Sequence, residues 1–275
     1  MNSARIREIE MASDDVGSGP ALILLHGYPF DRSMWRDQID FLSAHGYRVI
    51  APDLRGLGQT LSTGEITTME DMAQDVAERL DDLKIERAVI CGLSMGGYVA
   101  FEFAHLFPNK VRALVLAGTR APADNEQEKQ VRKQQAQRML AEGMDFVADA
   151  TLAKLLAPRT LAEKPEVVAR VREMILRSDP KGAAAAQRGM AVRRNYSDDL
   201  PSLDVPTLVV VGREDPIRPV ADAEFMHRQI RNSRLEIIED AAHMTNMEQS
   251  GVFNAALLTF VEGLVAPEND RFESR

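Results

Sequence analysis

The sharpest chemical signal in the chain is a serine held between glycines, Gly92-Leu93-Ser94-Met95-Gly96-Gly97. A short apolar run, Ala88–Cys91, leads into it, and a helix-like stretch from Met95 to Phe107, closed by Pro108, leaves it. Glycines placed this way let the backbone turn so tightly that the central residue adopts a strained conformation, its side chain raised above a sheet edge. A helix starting just after Ser94 would aim free N–H groups and its dipole at the hydroxyl. Nucleophilic attack on a carbonyl is the chemistry this suits. A phosphate loop is excluded, because no lysine follows. The dinucleotide fingerprint fails too, both here and at Arg55-Gly56-Leu57-Gly58, where Leu61 occupies the last glycine position.

A serine hydroxyl needs a base, and the base needs an acid to orient it. Of five histidines, His45 and His227 lie in polar stretches and should be solvated. His105 falls in the helix after Ser94, as a packed or capping residue, and His26 beside Gly27 should shape a loop. His243 follows a predicted strand in Asp240-Ala241-Ala242-His243. Loops at the carboxyl ends of strands surround the functional crevice of α/β sheets, so His243 is the expected base. The expected acid is Asp215, in Gly212-Arg213-Glu214-Asp215-Pro216 after another strand, with Glu214 the nearest rival and Asp240 a poorer one. The order Ser94, Asp215, His243 is nucleophile, acid, base. Charge developing on an attacked carbonyl calls for hydrogen-bond donors. The backbone N–H groups of Met95 and of Tyr28, in His26-Gly27-Tyr28-Pro29, are the expected pair, since Pro29 has none to give.

The elements that must position these residues are visible in the hydrophobic pattern. Ala21–Leu25, Tyr47–Ala51, Ala88–Cys91 and Leu114–Ala117 read as buried strands, and Thr207–Val211 and Leu235–Ile238 continue the set. Met69, Met72, Ala73, Val76, Ala77, Leu80 and Leu83 recur at helical spacing. Further helices are expected over Val220–Ile230 and Val252–Val265, and the polar tail Glu268–Arg275 should fray. Alternation of this kind predicts an α/β fold, a mostly parallel sheet flanked by helices. Between about Ala121 and Leu200 no strand-like run appears. Helices are expected at Asn125–Leu140, Met144–Leu156, Pro165–Leu176 and Ala183–Arg194, punctuated by Pro158, Pro165, Pro180 and Pro201. The division is therefore a catalytic core of residues 1–120 and 201–275, and an inserted helical cap of residues 121–200.

At 275 residues, with 45% hydrophobic and 27% charged side chains, the chain has ample material for a packed core. Its net charge of −9, without a block of Lys or Arg, lacks the electrostatic footprint of a nucleic-acid binder or of a protein held on anionic lipid. A single cysteine, Cys91, excludes an intramolecular disulfide and multi-thiolate metal sites. The N-terminal stretch has no apolar signal-like region and Ala21–Leu25 is too short to span a bilayer, so a cytoplasmic protein is expected.

The chain resembles the α/β-hydrolase superfamily, and within it bacterial carboxylesterases and enol-lactone hydrolases. The resemblance is carried by His26 to Pro29, Asp53-Leu54-Arg55-Gly56, the segment around Ser94, Gly212 to Pro219, and Ala242-His243-Met244-Thr245-Asn246-Met247-Glu248. It runs from residue 21 to the final helix. It departs at Leu57, where many members carry His, and in the short segment before Ala21. The resemblance implies hydrolysis of a small-molecule ester or lactone through an acyl-enzyme on Ser94, without metal or organic cofactor. The same three residues could serve carbon–carbon bond hydrolysis or cofactor-free perhydrolysis, and a hydrolase-like ligand-binding protein is the alternative of another class. Met139, Met144, Met174 and Met190 in the expected cap suggest an adaptable apolar pocket preferring uncharged esters.

Overall fold

A computed structural model of the chain describes residues 2–6, 9–61 and 64–264. The described residues form eight strands: β1 (Asn2–Ile6), β2 (Ile9–Val16), β3 (Ala21–Leu25), β4 (Arg48–Pro52), β5 (Ala88–Leu93), β6 (Val111–Ala117), β7 (Thr207–Gly212) and β8 (Ser233–Ile238). They build one sheet in the order β1-β2-β4-β3-β5-β6-β7-β8. From β4 to β8 all neighbours are parallel, whereas β1 and β2 are joined antiparallel to each other and β2 antiparallel to β4. Every residue of β3, β5 and β7 is buried, which is why these strands read as unbroken apolar runs.

β1 and β2 went unread in the sequence. In β2, only Ile9, Met11, Ala12 and Ser13 are buried, and Asp14 and Asp15 face arginines instead of a core. β2 lies between β1 and β4, and its burial follows no two-residue alternation to detect; β1 is the short strand at the edge.

Core helices are α1 (Arg36–Ala44), α2 (Met69–Asp82) and α3 (Met95–Leu106) before β6, and α9 (Val220–Gln229), α10 (Thr245–Glu248) and α11 (Ser250–Gly263) after β7. Thr68 and Asp71 form a capping box that starts α2. α2 packs on α3, α3 on β5, α1 on β4 and α11, and α9 on β7 and β8. The expected fraying of Glu268–Arg275 and the last residue of the helix expected to Val265 lie outside the described residues.

Between β6 and β7 the chain forms α4 (Glu126–Glu142), α5 (Asp145–Leu155), α6 (Pro158–Glu163), α7 (Pro165–Leu176) and α8 (Pro180–Ala191). Proline opens α6, α7 and α8, where its missing N–H has no partner to lose. α8 packs against α4 and lies backbone to backbone on the loop before α2, with Thr67 N–H donating to Ala185 C=O at 3.1 Å. A Cβ on Gly189 would stand 1.7 Å from the Thr67 carbonyl oxygen, so nothing larger than glycine fits. Among the described residues no helix is long and apolar enough to cross a membrane.

Candidate active site

Ser94 sits between β5 and α3 with φ 56° and ψ −111°, a left-handed conformation unusual for a residue with a side chain. Its N–H donates to Ala117 C=O on β6 at 2.9 Å, and its own carbonyl accepts the Thr119 hydroxyl at 2.9 Å. A Cβ on Gly92 would lie 2.1 Å from the Gly96 oxygen, so the turn closes only because glycine precedes it. Met95 begins α3, where an amide has no helical carbonyl to donate to.

His243 and Asp215 are both buried, and imidazole Nδ1 lies 2.7 Å from carboxylate Oδ2. The other oxygen, Oδ1, accepts the amides of Ile217 at 2.8 Å and Arg218 at 2.9 Å. The carboxylate is thus fixed from its own loop, with Oδ2 left to accept Nδ1–H. That tautomer leaves Nε2 free to accept a proton. The rivals lie elsewhere: Glu214 is exposed, and Asp240 pairs with Arg159 at 2.8 Å.

The loop bearing His243 is fastened by groups that sequence reasoning did not single out. Leu155 C=O, at the end of α5, accepts the N–H of both His243 and Met244 at 3.1 Å. Buried Glu248 accepts Ala242 N–H at 2.8 Å and, through its second oxygen, Ala157 N–H at 2.6 Å. Burial holds this carboxyl above its ordinary value. The sequence offers one signal for it: a carboxylate within the short segment from Ala241 to Glu248, all of which is buried.

Tyr28 follows β3 in a turn closed by Phe30 N–H to Gly27 C=O at 3.0 Å, which leaves the Tyr28 amide out of that bond. His26 braces this turn. Its Nε2 accepts Leu54 N–H and its Nδ1 donates to Gly27 C=O, both at 2.9 Å, and burial lowers its pKa. Such a ring is locked neutral and shapes the loop. His45 is exposed with Nδ1 on Phe41 C=O, His227 bonds Ser233 through Nδ1, and His105 lies 4.0 Å from Asp199.

Ser94 and His243 line one cavity of ≈ 170 Å³ together with Tyr28, Tyr98 and Arg218. Met139, Phe146, Val147, Leu155 and Met190, from α4, α5 and α8, form its apolar wall. Met144 is buried without lining it, and Met174 lines a separate polar cavity beside Asp31 and Arg177. Tyr28 donates its hydroxyl to Met139 Sδ at 3.0 Å, and Arg132 donates to Gln187 Oε1 at 2.9 Å across the same wall.

Comparison with known proteins places residues 20–250 in a family described as alpha/beta hydrolase fold. A curated relative, 3-oxoadipate enol-lactonase 2 of Acinetobacter baylyi, is 31% identical over 238 residues, 86% of this chain and 87% of its own. A thermophilic esterase from Thermogutta terrifontis, solved with malate bound, superposes with a TM-score of 0.94 at 38% identity, covering 96% of this chain and 99% of its own. The enol-lactonase of Burkholderia xenovorans gives 0.88 at 27% identity, covering 95% and 100%.

Proposed function

The chain belongs to the α/β-hydrolase fold family, and from that premise we propose that it is a serine hydrolase of carboxylic esters or lactones. The observation that carries the reading is the buried His243–Asp215 hydrogen bond in a site where His243 shares its cavity with Ser94 at the strained turn. The esterase and enol-lactonase relatives support the substrate class.

In this reading Ser94 Oγ attacks the acyl carbonyl while His243 Nε2 takes its proton. Asp215 keeps the imidazole in the required tautomer and stabilises the imidazolium that forms. The Tyr28 and Met95 amides stabilise the oxyanion, aided by the N-terminal dipole of α3. His243 then protonates the departing alkoxide, the acyl group stays on Ser94, and His243 activates the water that releases it. The helices α4–α8, within residues 121–200, act as a cap that excludes bulk water and shapes the acyl pocket.

A fluorophosphonate probe should label the protein once, at Ser94, and the protein should turn over p-nitrophenyl esters. Ser94→Ala should abolish both while the circular dichroism spectrum is unchanged, because losing the nucleophile removes several orders of magnitude from kcat. Labelling at another residue, or turnover that survives in the variant, overturns the assignment. Ligand binding without turnover would favour the binding-protein alternative.

A further inference from the structure

We infer that the cavity at Ser94 takes an ester or lactone bearing a free carboxylate, which docks on the Arg218 guanidinium and the Tyr98 hydroxyl. The inference rests on the hydrolase reading above and names its substrate class.

Tyr98 lies one helical turn beyond Ser94 on α3, is buried, and lines the same cavity. Four guanidinium groups gather near it. Arg193 stacks over its ring at 4.1 Å from the centroid, and Arg218 Nη2 donates to its hydroxyl oxygen at 2.5 Å. Arg120, Arg132 and Arg193 all converge on the carboxylate of Asp124, and Arg120 also reaches Glu128. Those three cations therefore share two acids.

Arg218 has none. Its Nη1 donates to the Ile217 carbonyl at 2.6 Å, its Nε is buried without a partner, and among the described residues no carboxylate comes within 4.0 Å. The neighbouring acids are otherwise engaged or too far. Asp215 gives one oxygen to the Ile217 and Arg218 amides and the other to His243. Asp222 feels the charge of Arg218 and Arg120 but lies beyond ion-pair distance. Burial would raise the Tyr98 phenol above its ordinary value, yet Arg218, Arg193 and Arg132 together pull it below. A field that overcomes burial is one with positive charge in excess.

A half-buried guanidinium without a counter-ion is expensive to hold unless a ligand brings the opposite charge. Its planar fork suits a carboxylate. Because Tyr98 accepts from Arg218, its own O–H remains to donate, and each Nη nitrogen of Arg218 keeps a second N–H beyond its one bond. A ligand that reaches both also reaches Ser94 and His243, since all four line one cavity. The methionine content suggested uncharged esters. The structure assigns Met139 and Met190 to the carbon chain and leaves the ligand's far end to arginine.

The test compares mono-p-nitrophenyl glutarate with p-nitrophenyl valerate, esters of equal acyl length that differ in a terminal carboxylate. The unaltered protein should show the higher kcat/KM on the glutarate ester. Arg218→Met should lower the glutarate-to-valerate ratio about tenfold or more, as loss of a hydrogen bond to a charged group does, and Arg218→Lys should restore part of it. Preference for the valerate ester, or a ratio indifferent to Arg218, overturns the inference and leaves the hydrolase reading standing. Turnover of neither ester, with no labelling of Ser94, overturns the hydrolase reading instead. A binding measurement decides the inference independently of turnover and of how the variant folds. Glutaramate should raise the Tm of the unaltered protein and valeramide, which ends in a methyl group where glutaramate ends in a carboxylate, should not; equal effects refute the carboxylate site.

Discussion

Asp215 commits both carboxylate oxygens, one to two main-chain amides and one to His243. In Asp215→Asn the side chain can still accept from those amides, but its NH₂ would face Nδ1 and force the imidazole into the wrong tautomer. We expect kcat on a p-nitrophenyl ester to fall by about 10⁴, whereas exposed Glu214→Gln should stay within about twofold. The reverse ranking would move the acid by one residue. The methionines of the proposed cap divide in the same concrete way. Met139→Ala and Met190→Ala enlarge the cavity wall and should shift the preferred acyl chain length in a kcat/KM series. Met144→Ala and Met174→Ala, which do not line it, should leave that profile in place. At this scale glycine spacing and chain order pointed to Ser94, Asp215 and His243, and the structure sets His243 on Asp215 and in one cavity with Ser94, while their catalytic roles are the proposal made above. The sequence was silent on Arg218 and Glu248, whose roles arise from what is missing beside one and what converges on the other.

Elements were legible in proportion to their burial. β3 to β7 could be named because covering both faces leaves no polar alternation; β8, mostly unburied, is the exception and was named from the aliphatic residues of Leu235–Ile238, while β1, β2, the short α6 and α1 lacked a clear period. In α1 the buried side chains are Gln38, Ile39 and Leu42, and the glutamine breaks the apolar stripe. What holds the elements to one another was not legible at all. Glu248 joins α10, the His243 loop and the α5–α6 junction. Its carboxyl is raised above 4.5 by burial, so its contribution to stability is complete below 4.5 and is lost as pH climbs through the raised value. Glu248→Gln removes that ionisation. The unfolding free energy of the unaltered protein should therefore fall more steeply as pH rises above 4.5 than that of the variant. Parallel slopes in urea titrations would show that Glu248 is not the group responsible. On α8, Gly189→Ala sets a methyl against the Thr67 carbonyl, and we expect about 1–3 kcal/mol of destabilisation by overpacking, read in the same titrations.

For the whole molecule, a net charge of −9 gave no hint that the interior cavity gathers arginines. A sum over the chain says nothing about where the charges sit once it is folded. Cys91 offers a probe at this scale. It is the single cysteine, wholly buried on β5, and burial pushes its thiol up. An aromatic disulfide reagent should leave it unmodified in the folded protein and react once per chain across the urea transition; rapid reaction without denaturant would mean that the sheet opens locally. The bonds from Leu155 and Ala157 to the His243 loop bear on how such an enzyme can diversify. The stretch of backbone that ends the pocket-forming helix α5 also anchors His243, the proposed general base. A cap exchanged with a relative's must therefore bring a carbonyl and an amide to the same two places, or the recipient gains a new pocket over an unmoored histidine. Substitution of side chains within α4, α5 and α8 carries no such condition, so point changes along the pocket wall are the freer route to a new substrate range.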